Sequence, residues 1–363
     1  MSIKVVRSPE YNYTFNDQDG FFARWGKTKE DDPVMSPFGC EILDMELSTI
    51  CFGQGNAQKP APCKFCYKSN TSIGTNMSFE TAKVILDKMP KTLCQVAYGI
   101  GSLNANPDLW KIMEYTRSIG LVPNITVNGH DIDDEDITKL ANLCGAVAVS
   151  HYSDADCFGT VKRLTEEAKK EGTTLRQVNI HQICCLEKYE ECRKVVHAMK
   201  NDERLSDCNA LVLMTLKPIG KRNILHSLNS LEKFQALFKE AVDAGVKIGM
   251  DSCSAPQTFR AIESLGMLNV SPSIESCESA IFSFYCDVNG FAFPCSFSSG
   301  IGEWKEGISI VEAQDFVKDV WYHPKIVAWR ERLLARSNKC DCQFKSQCRP
   351  CPLFDEVTPC YKK

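Results

Sequence analysis

The chain has 363 residues, 44% hydrophobic and 24% charged, with 42 Lys and Arg against 46 Asp and Glu for a net charge of −4. That length allows a large core and, at the usual domain size, two domains; the acidic balance and the shortness of basic runs such as KKEGTTLR and KPIGKR argue against a nucleic-acid surface. No apolar run approaches the roughly 18 residues of a membrane span and MSIKVVRSPEYNYTFNDQDG is too polar for a secretory signal, so a cytoplasmic protein without a membrane partner is expected. In that compartment the 20 cysteines read as metal ligands or, like Cys94, Cys144 and Cys208, as small core residues, and not as disulfides.

Residues 1 to 40 mix Gly, Pro, Asp and aromatics without a period and are expected to form an irregular extension, packed on the rest through Phe21, Phe22 and Trp25. From residue 41, β-rich apolar runs alternate with amphipathic ones, the pattern of βα units on a parallel sheet. Strands are predicted over 41–48, 93–98, 121–127, 146–150, 176–184, 210–216 and, short, 246–250. Helices are predicted from Ser78 to Pro90, from Pro107 through Arg117, over IDDEDITKLANLCG with its acidic first turn and Gly145 at its end, and over 158–171, 188–200 and 228–244. Beyond residue 255 the alternation stops. There eight cysteines, Cys277, Cys286, Cys295, Cys340, Cys342, Cys348, Cys351 and Cys360, fall within 84 residues.

The stretch ELSTICFGQGNAQKPAPCKFCYKSN follows the first predicted strand and carries Cys51, Cys63 and Cys66. Three thiolates on a cubane iron–sulfur cluster would leave one iron open; CKFC alone serves equally as half of a zinc site or as two buried thiols. The stretch resembles the radical S-adenosylmethionine (SAM) enzymes, whose loop after the first barrel strand carries CxxxCxΦC with Φ aromatic. Cys63, Phe65 and Cys66 match its second half. Eleven residues lie between Cys51 and Cys63, eight more than in the family's spacing, an insertion whose Gly, Asn and Pro suit a flexible loop.

The resemblance implies an α/β fold, an incomplete parallel (β/α)6 barrel over 41–255, with its chemistry at the carboxyl ends of the strands. It also implies cofactor contacts there. YGIGSLNANPDLWKI is similar to the family's GGEPLLNPDL, with Gly99, Gly101 and Ser102 in place of the amino-group site, although Ile100 and Ser102 depart from it. NITVNG supplies Asn128, VAVSHYS supplies Ser150, NIHQ supplies Gln182 beside Asn179 and His181, and LKPIGKR supplies Lys217; Phe65 and Tyr67 would flank the cluster. Each of these also reads as a turn former or core residue. Asp251 and Cys253 in GMDSCSAP stand at the cavity mouth as candidate acid–base groups, although Cys253 reads first as a buried structural thiol.

The region 256–363 resembles the SPASM extension, which binds auxiliary 4Fe-4S clusters. Cys277, Gly290 and Cys295 keep its first element, while Cys340-x-Cys342 and Cys348-x2-Cys351 are each one residue short. Interleaving as in that family would give Cys277, Cys286, Cys295 and Cys351 to one cluster and Cys340, Cys342, Cys348 and Cys360 to the other; a pair of zinc sites would use eight sulfurs equally well. The resemblance implies reductive cleavage of SAM, with electrons from a flavodoxin or ferredoxin, and hydrogen abstraction from a peptide or protein. The alternatives are a small-metabolite substrate and a zinc-stabilised binding protein without turnover. The first 40 residues read as too short for a complete leader-binding domain of the winged-helix kind.

Overall fold

The structure, a computed structural model, describes residues 3–29, 31–336 and 340–354; Cys360 lies outside them. The amino-terminal stretch departs from the irregular extension expected of it. Three short strands, β1 (Ile3–Val6), β2 (Asn12–Asn16) and β3 (Phe22–Trp25), form an antiparallel sheet in the order β1-β2-β3. Its anchors are Tyr11 and Tyr13, 1% and 0% exposed, whereas Phe21 is 59% exposed. The Tyr11 hydroxyl donates to Glu41 at 2.6 Å and the Tyr13 hydroxyl to Thr92 O at 2.7 Å. Arg24 bridges Glu41 and Glu278 at 2.6 and 2.7 Å. These bonds lay the small sheet across the amino-terminal ends of the main strands, away from the ends where the chemistry is expected.

The main sheet carries the βα alternation. Its strands are β4 (Ile42–Glu46), β5 (Gln95–Gly99), β6 (Val122–Val127), β7 (Ala146–Ser150), β8 (Gln177–Cys184), β9 (Ala210–Thr215) and β10 (Ile248–Met250), each parallel to the next. Between them run α1 (Phe79–Lys88), α2 (Leu109–Ser118), α3 (Asp134–Leu143), α4 (Asp154–Ala168), α5 (Tyr189–Asn201) and α6 (Leu231–Asp243), and α7 (Ala255–Ser264) follows β10. Side-chain caps fix several helix starts: Ser78, Asp133, Ser153 and Ser230 each accept from an N–H three residues on, a contribution of about 1 kcal/mol apiece. The Ser153 cap starts α4 four residues before the predicted 158.

The tail does not leave the sheet. β11 (Ser283–Cys286) lies parallel to β4 on its free edge, with Phe284 opposite Leu43, and turns through Asp287–Gly290 into β12 (Phe291–Phe293), which pairs with β13 (Ile308–Ser309). The sheet therefore runs β10-β9-β8-β7-β6-β5-β4-β11-β12-β13. Among the described residues its two end strands, β10 and β13, are not paired with each other, so the sheet is open. A final helix, α8 (Pro324–Ala335), buries Ile326, Trp329 and Leu333. Cys94 and Cys144 are buried as expected, at 1% and 0% exposure, and Cys208 packs half-buried on the core.

Candidate cluster site

Past the end of β4 the segment 47–51 is held against 71–77 by single pairings, Ser48 with Asn76 and Ile50 with Thr71, and Cys51 N–H donates to Thr71 O at 2.7 Å. The residues that lengthen the spacing to Cys63 fold back on themselves. Ala61 N–H donates to Phe52 O and Gln54 N–H to Ala61 O, both at 2.9 Å, while the Asn56 side chain accepts from the Gln58 and Lys59 N–H groups. Gly53 sits at φ +65, and a Cβ there would stand 2.0 Å from Ala61 O, so this closure requires glycine. Shut at its base, the insertion turns residues 56–62 out to solvent and returns the chain to Cys63.

Cys66 raises the proton affinity of Cys51, and Cys51 and Cys66 both raise that of Cys63, so the three thiols share one charge neighbourhood. Burial is the larger influence. It lifts Cys51 and pushes Cys63 up to about 11. Against burial, Gly53 N–H donates to Cys51 Sγ at 3.3 Å, and the Ser102 hydroxyl on Cys51, the Tyr152 hydroxyl on Cys63 and the Arg222 charge on both favour thiolate. These are the donors that ligating sulfurs need. Gly101 completes the arrangement by omission: a Cβ there would lie 2.3 Å from Cys51 Sγ.

Distant segments hold the loop in place. Arg222 donates to Ser69 O and Asn70 O at 3.2 and 2.6 Å, and Lys221 N–H to Ser69 Oγ at 2.7 Å, so LKPIGKR clamps the far side of the cysteine loop. The Asn128 amide donates to Gly53 O at 3.0 Å and its oxygen accepts from His130 N–H, which ties the end of β6 to the insertion. Ser102 Oγ accepts from Phe52 N–H at 3.2 Å. Phe65 lies 6.0 Å from the Tyr152 ring and Tyr67 lies 4.6 Å from Phe297, a tail residue.

The donor set fits a cubane. Cys51, Cys63 and Cys66 act on one another's charge and receive hydrogen bonds from Gly53, Ser102 and Tyr152, and cluster ligands each take a different iron and need not converge on one point. The residues that would hold the cluster are Cys51, Cys63 and Cys66.

Of the other residues singled out, Gly99 O accepts from Leu47 N–H at 2.8 Å, and Ser150 lies opposite His181 between β7 and β8. Gln182 is fully buried with Val178, Ile180 and Cys184, on the opposite face of β8 from Asn179 and His181. It donates to Ile183 O at 3.0 Å, and its oxygen has no partner. Burial pushes His181 down to about 4, with Asp251 acting weakly the other way. Lys217 donates to Thr215 O at 2.8 Å and to Asp251, whose second oxygen is buried without a partner. Burial alone would lower the Lys217 ammonium; Asp251 and Cys253 beside it more than offset this and hold it above its ordinary value.

Three further residues stand at the site. Tyr152 lies two positions past Ser150, in the same strand-end motif. Arg222 lies in LKPIGKR, where it reads as a solvated charge. Asp44 shares the face of β4 that carries Glu46, and Tyr67 feels both carboxylates; burial pushes Asp44 up to about 6. An acid in the middle of the apolar run ILDME was the available signal.

In the tail, Cys277 and Cys351 raise the proton affinity of Cys295, and Cys351 that of Cys277. Arg349 Nε donates to Cys277 O at 2.8 Å, and Phe344 stacks on Phe259 of α7 at 4.7 Å. Cys342 and Cys348 pack against the main core, and Cys340 is half-buried.

No family description and no curated protein sequence matches the chain. Solved structures do match its fold. Streptococcus suis SuiB bound to its precursor peptide SuiA superposes with a TM-score of 0.67 at 15% identity, covering 87% of this chain and 72% of that one. The same protein bound to S-adenosylmethionine gives 0.63 at 13% identity over 86% and 73%. The anSMEcpe protein with bound AdoMet and Cp18Cys peptide gives 0.59 at 16% identity over 85% and 88%. The chain shares their fold.

Proposed function

We propose that the chain is a radical SAM enzyme acting on a peptide or protein. The observation that supports this reading is that Cys51, Cys63 and Cys66 act on one another's charge past the end of β4, across an insertion that closes on itself. The support for a peptide is that SuiB and anSMEcpe, which share the fold, were each captured with one. A cluster held by Cys51, Cys63 and Cys66 would leave one iron open to SAM and would supply the electron for its reductive cleavage.

The chain's own contribution is positional. Gly101 leaves the Cys51 sulfur its space, Arg222 and Asn128 fix the two sides of the loop, and the Tyr152 hydroxyl and Ser102 supply hydrogen bonds to sulfur. Backbone around Gly99 and Gly101 and the strand-end side chains of Asn128 and Ser150 line the approach a nucleoside and amino acid would take. Asp44, Asn179 and His181, on the face of the sheet away from the helices, offer polar contacts to a substrate. The tail cysteines would hold two auxiliary 4Fe-4S clusters, able to take up the electron left on the substrate, and a small ferredoxin-like or flavodoxin-like donor would supply the first.

The test is anaerobic reconstitution with iron and sulfide, followed by assay for 5′-deoxyadenosine with wild type and Cys63→Ala. Wild type is expected to cleave SAM and Cys63→Ala to lose cleavage while keeping its tail iron. Zinc in place of iron in the anaerobically purified chain would overturn the enzymatic reading, and cleavage stimulated by a metabolite and by no peptide would overturn the substrate class.

A further inference from the structure

The open sheet has a bare margin. β10 ends it, and among the described residues no strand lies beyond. Leu211 N–H donates to Lys247 O at 3.0 Å and Asp251 N–H to Leu213 O at 3.2 Å, so residues 247 and 251 face β9. By the two-residue period of a strand, the N–H and C=O groups of Ile248 and Met250 then face outward. Both residues are only partly buried. An edge of this kind is commonly shielded by proline, by lysine or by a covering element; here Lys247 reaches instead to Asn209 Oδ1 at 2.7 Å.

Beside the edge lies a hollow of about 340 Å³, within the size range of ligand sites. Phe238, Ile262, Met267, Val270 and Ile274 give it apolar walls, and the three residues of β10 line it as well. Its charged lining is acidic, Asp251 and Glu275, with no Lys, Arg or His. Asp251 gives one oxygen to Lys217, while the other is buried without a partner on a side chain 9% exposed. Glu275 is exposed. The cations near it are engaged elsewhere: Arg24 bridges Glu41 and Glu278, and Arg349 donates to Cys277 O. The hollow thus offers apolar surface, backbone groups in strand geometry and acceptors that lack donors, the complement of an extended peptide with a basic side chain.

We propose that β10 is a docking edge for the peptide substrate: an extended segment adds to the sheet as a further strand, sets an apolar side chain into the hollow and presents a Lys or Arg to Glu275 and the free oxygen of Asp251. The proposal rests on the reading of the chain as a peptide-modifying enzyme and names how the peptide is held. β10 runs parallel to β4 through the intervening strands, so its Asp251 end is the end at which the cysteine loop stands. A segment laid along it leads from the side of the sheet toward that loop.

The probe is a displayed library of random dodecapeptides, selected anaerobically on the reconstituted full chain, with the binders titrated by fluorescence anisotropy. Met250→Pro removes an outward N–H and no bond to β9, and Met250→Ala keeps that N–H. Binders are expected to hold Met250→Ala within about threefold of wild type and Met250→Pro at least about tenfold more weakly, to carry Lys or Arg beside an apolar residue, and to weaken on Glu275→Lys. Val270→Trp fills the hollow without touching β10 and is expected to weaken them as well; equal urea midpoints for the four variants and wild type show that the fold is kept. Hydrogen exchange of residues 246–251 is expected to slow on binding in the unsubstituted chain. Wild-type affinity in both Met250→Pro and Val270→Trp, unchanged exchange at 246–251, or a library that yields no binder would overturn the proposal. So would a wild type that sediments as a dimer and a Met250→Pro chain that sediments as a monomer, which would give the edge to a second copy. Because the readout is binding, the two readings fail separately: peptides that stimulate SAM cleavage yet ignore Met250→Pro would overturn the docking edge alone, and edge-dependent binders beside cleavage stimulated by a metabolite and by no peptide would uphold the site and overturn the substrate class.

Discussion

The space beside Cys51 Sγ exists because residue 101 ends at its Cα. Gly101→Ala would force the methyl or the sulfur to move by more than a van der Waals adjustment, since the Cβ would lie 2.3 Å from the sulfur. The expected result is loss of most loop iron with tail iron retained, counted after reconstitution. At Lys217 the issue is a buried charge. Its side chain is 4% exposed and that of Asp251 9% exposed, so Asp251→Ala leaves an ammonium without its partner, a change worth about 3–5 kcal/mol; urea unfolding of the apo chain should show the loss. Asp44 gives a pH signature. Burial raises its carboxyl to about 6, above the roughly 3.9 of an unfolded chain. Between those values the folded state binds more protons than the unfolded one, so this group's contribution declines as pH rises through the window and stays low above it. Asp44→Asn is therefore expected to gain about 1–2 kcal/mol at pH 7.5, the figure reduced for partial exposure, with the gain shrinking toward zero near pH 4 in urea titrations.

The insertion between Cys51 and Cys63 behaves as an element of its own. Because Phe52 and Ala61 close its base, four Gly or Ser residues added between Ala57 and Gln58 should cost under about 1 kcal/mol and leave iron uptake unchanged. Gly53→Val, which strikes the closure itself, should abolish uptake by the loop; iron content and unfolding midpoint of both variants check the contrast. At this scale the sequence was informative wherever local chemistry decided the outcome. The runs at 93–98, 121–127 and 146–150 became β5, β6 and β7 because apolar strands flanked by helices have few other uses. The start of α4 is set by the Ser153 cap and not by apolar periodicity, which begins only at Phe158. β11 was missed because FSFYC gains its partner, β4, from some 240 residues upstream, and no local pattern announces that pairing. The same holds at the site. Three loop thiols are legible from their spacing, while Tyr152 and Arg222 reach them only through the topology of the sheet, and the parity of β8 that turns Gln182 toward the helices shows only once the strand is in register.

Across the whole molecule the tail is joined to the parallel βα layer by bonds of several kinds: β11 on β4, Arg24 between Glu41 and Glu278, Phe344 on Phe259, and Tyr67 on Phe297. Iron bound only by the folded chain adds its binding energy to folding. Chelation under anaerobic conditions is accordingly expected to lower the unfolding midpoint and to open the segment 340–354 to limited proteolysis before the parallel βα layer is cut; simultaneous cleavage of both would show that the tail depends on that layer alone. The packing of Tyr67 on Phe297 also imposes an order on biogenesis. Until the carboxyl-terminal part has emerged and settled, Tyr67 lacks its Phe297 contact and the residues beside Cys66 lack one of their restraints, so a chain truncated before Phe297 is expected to take up less loop iron on reconstitution than the full chain.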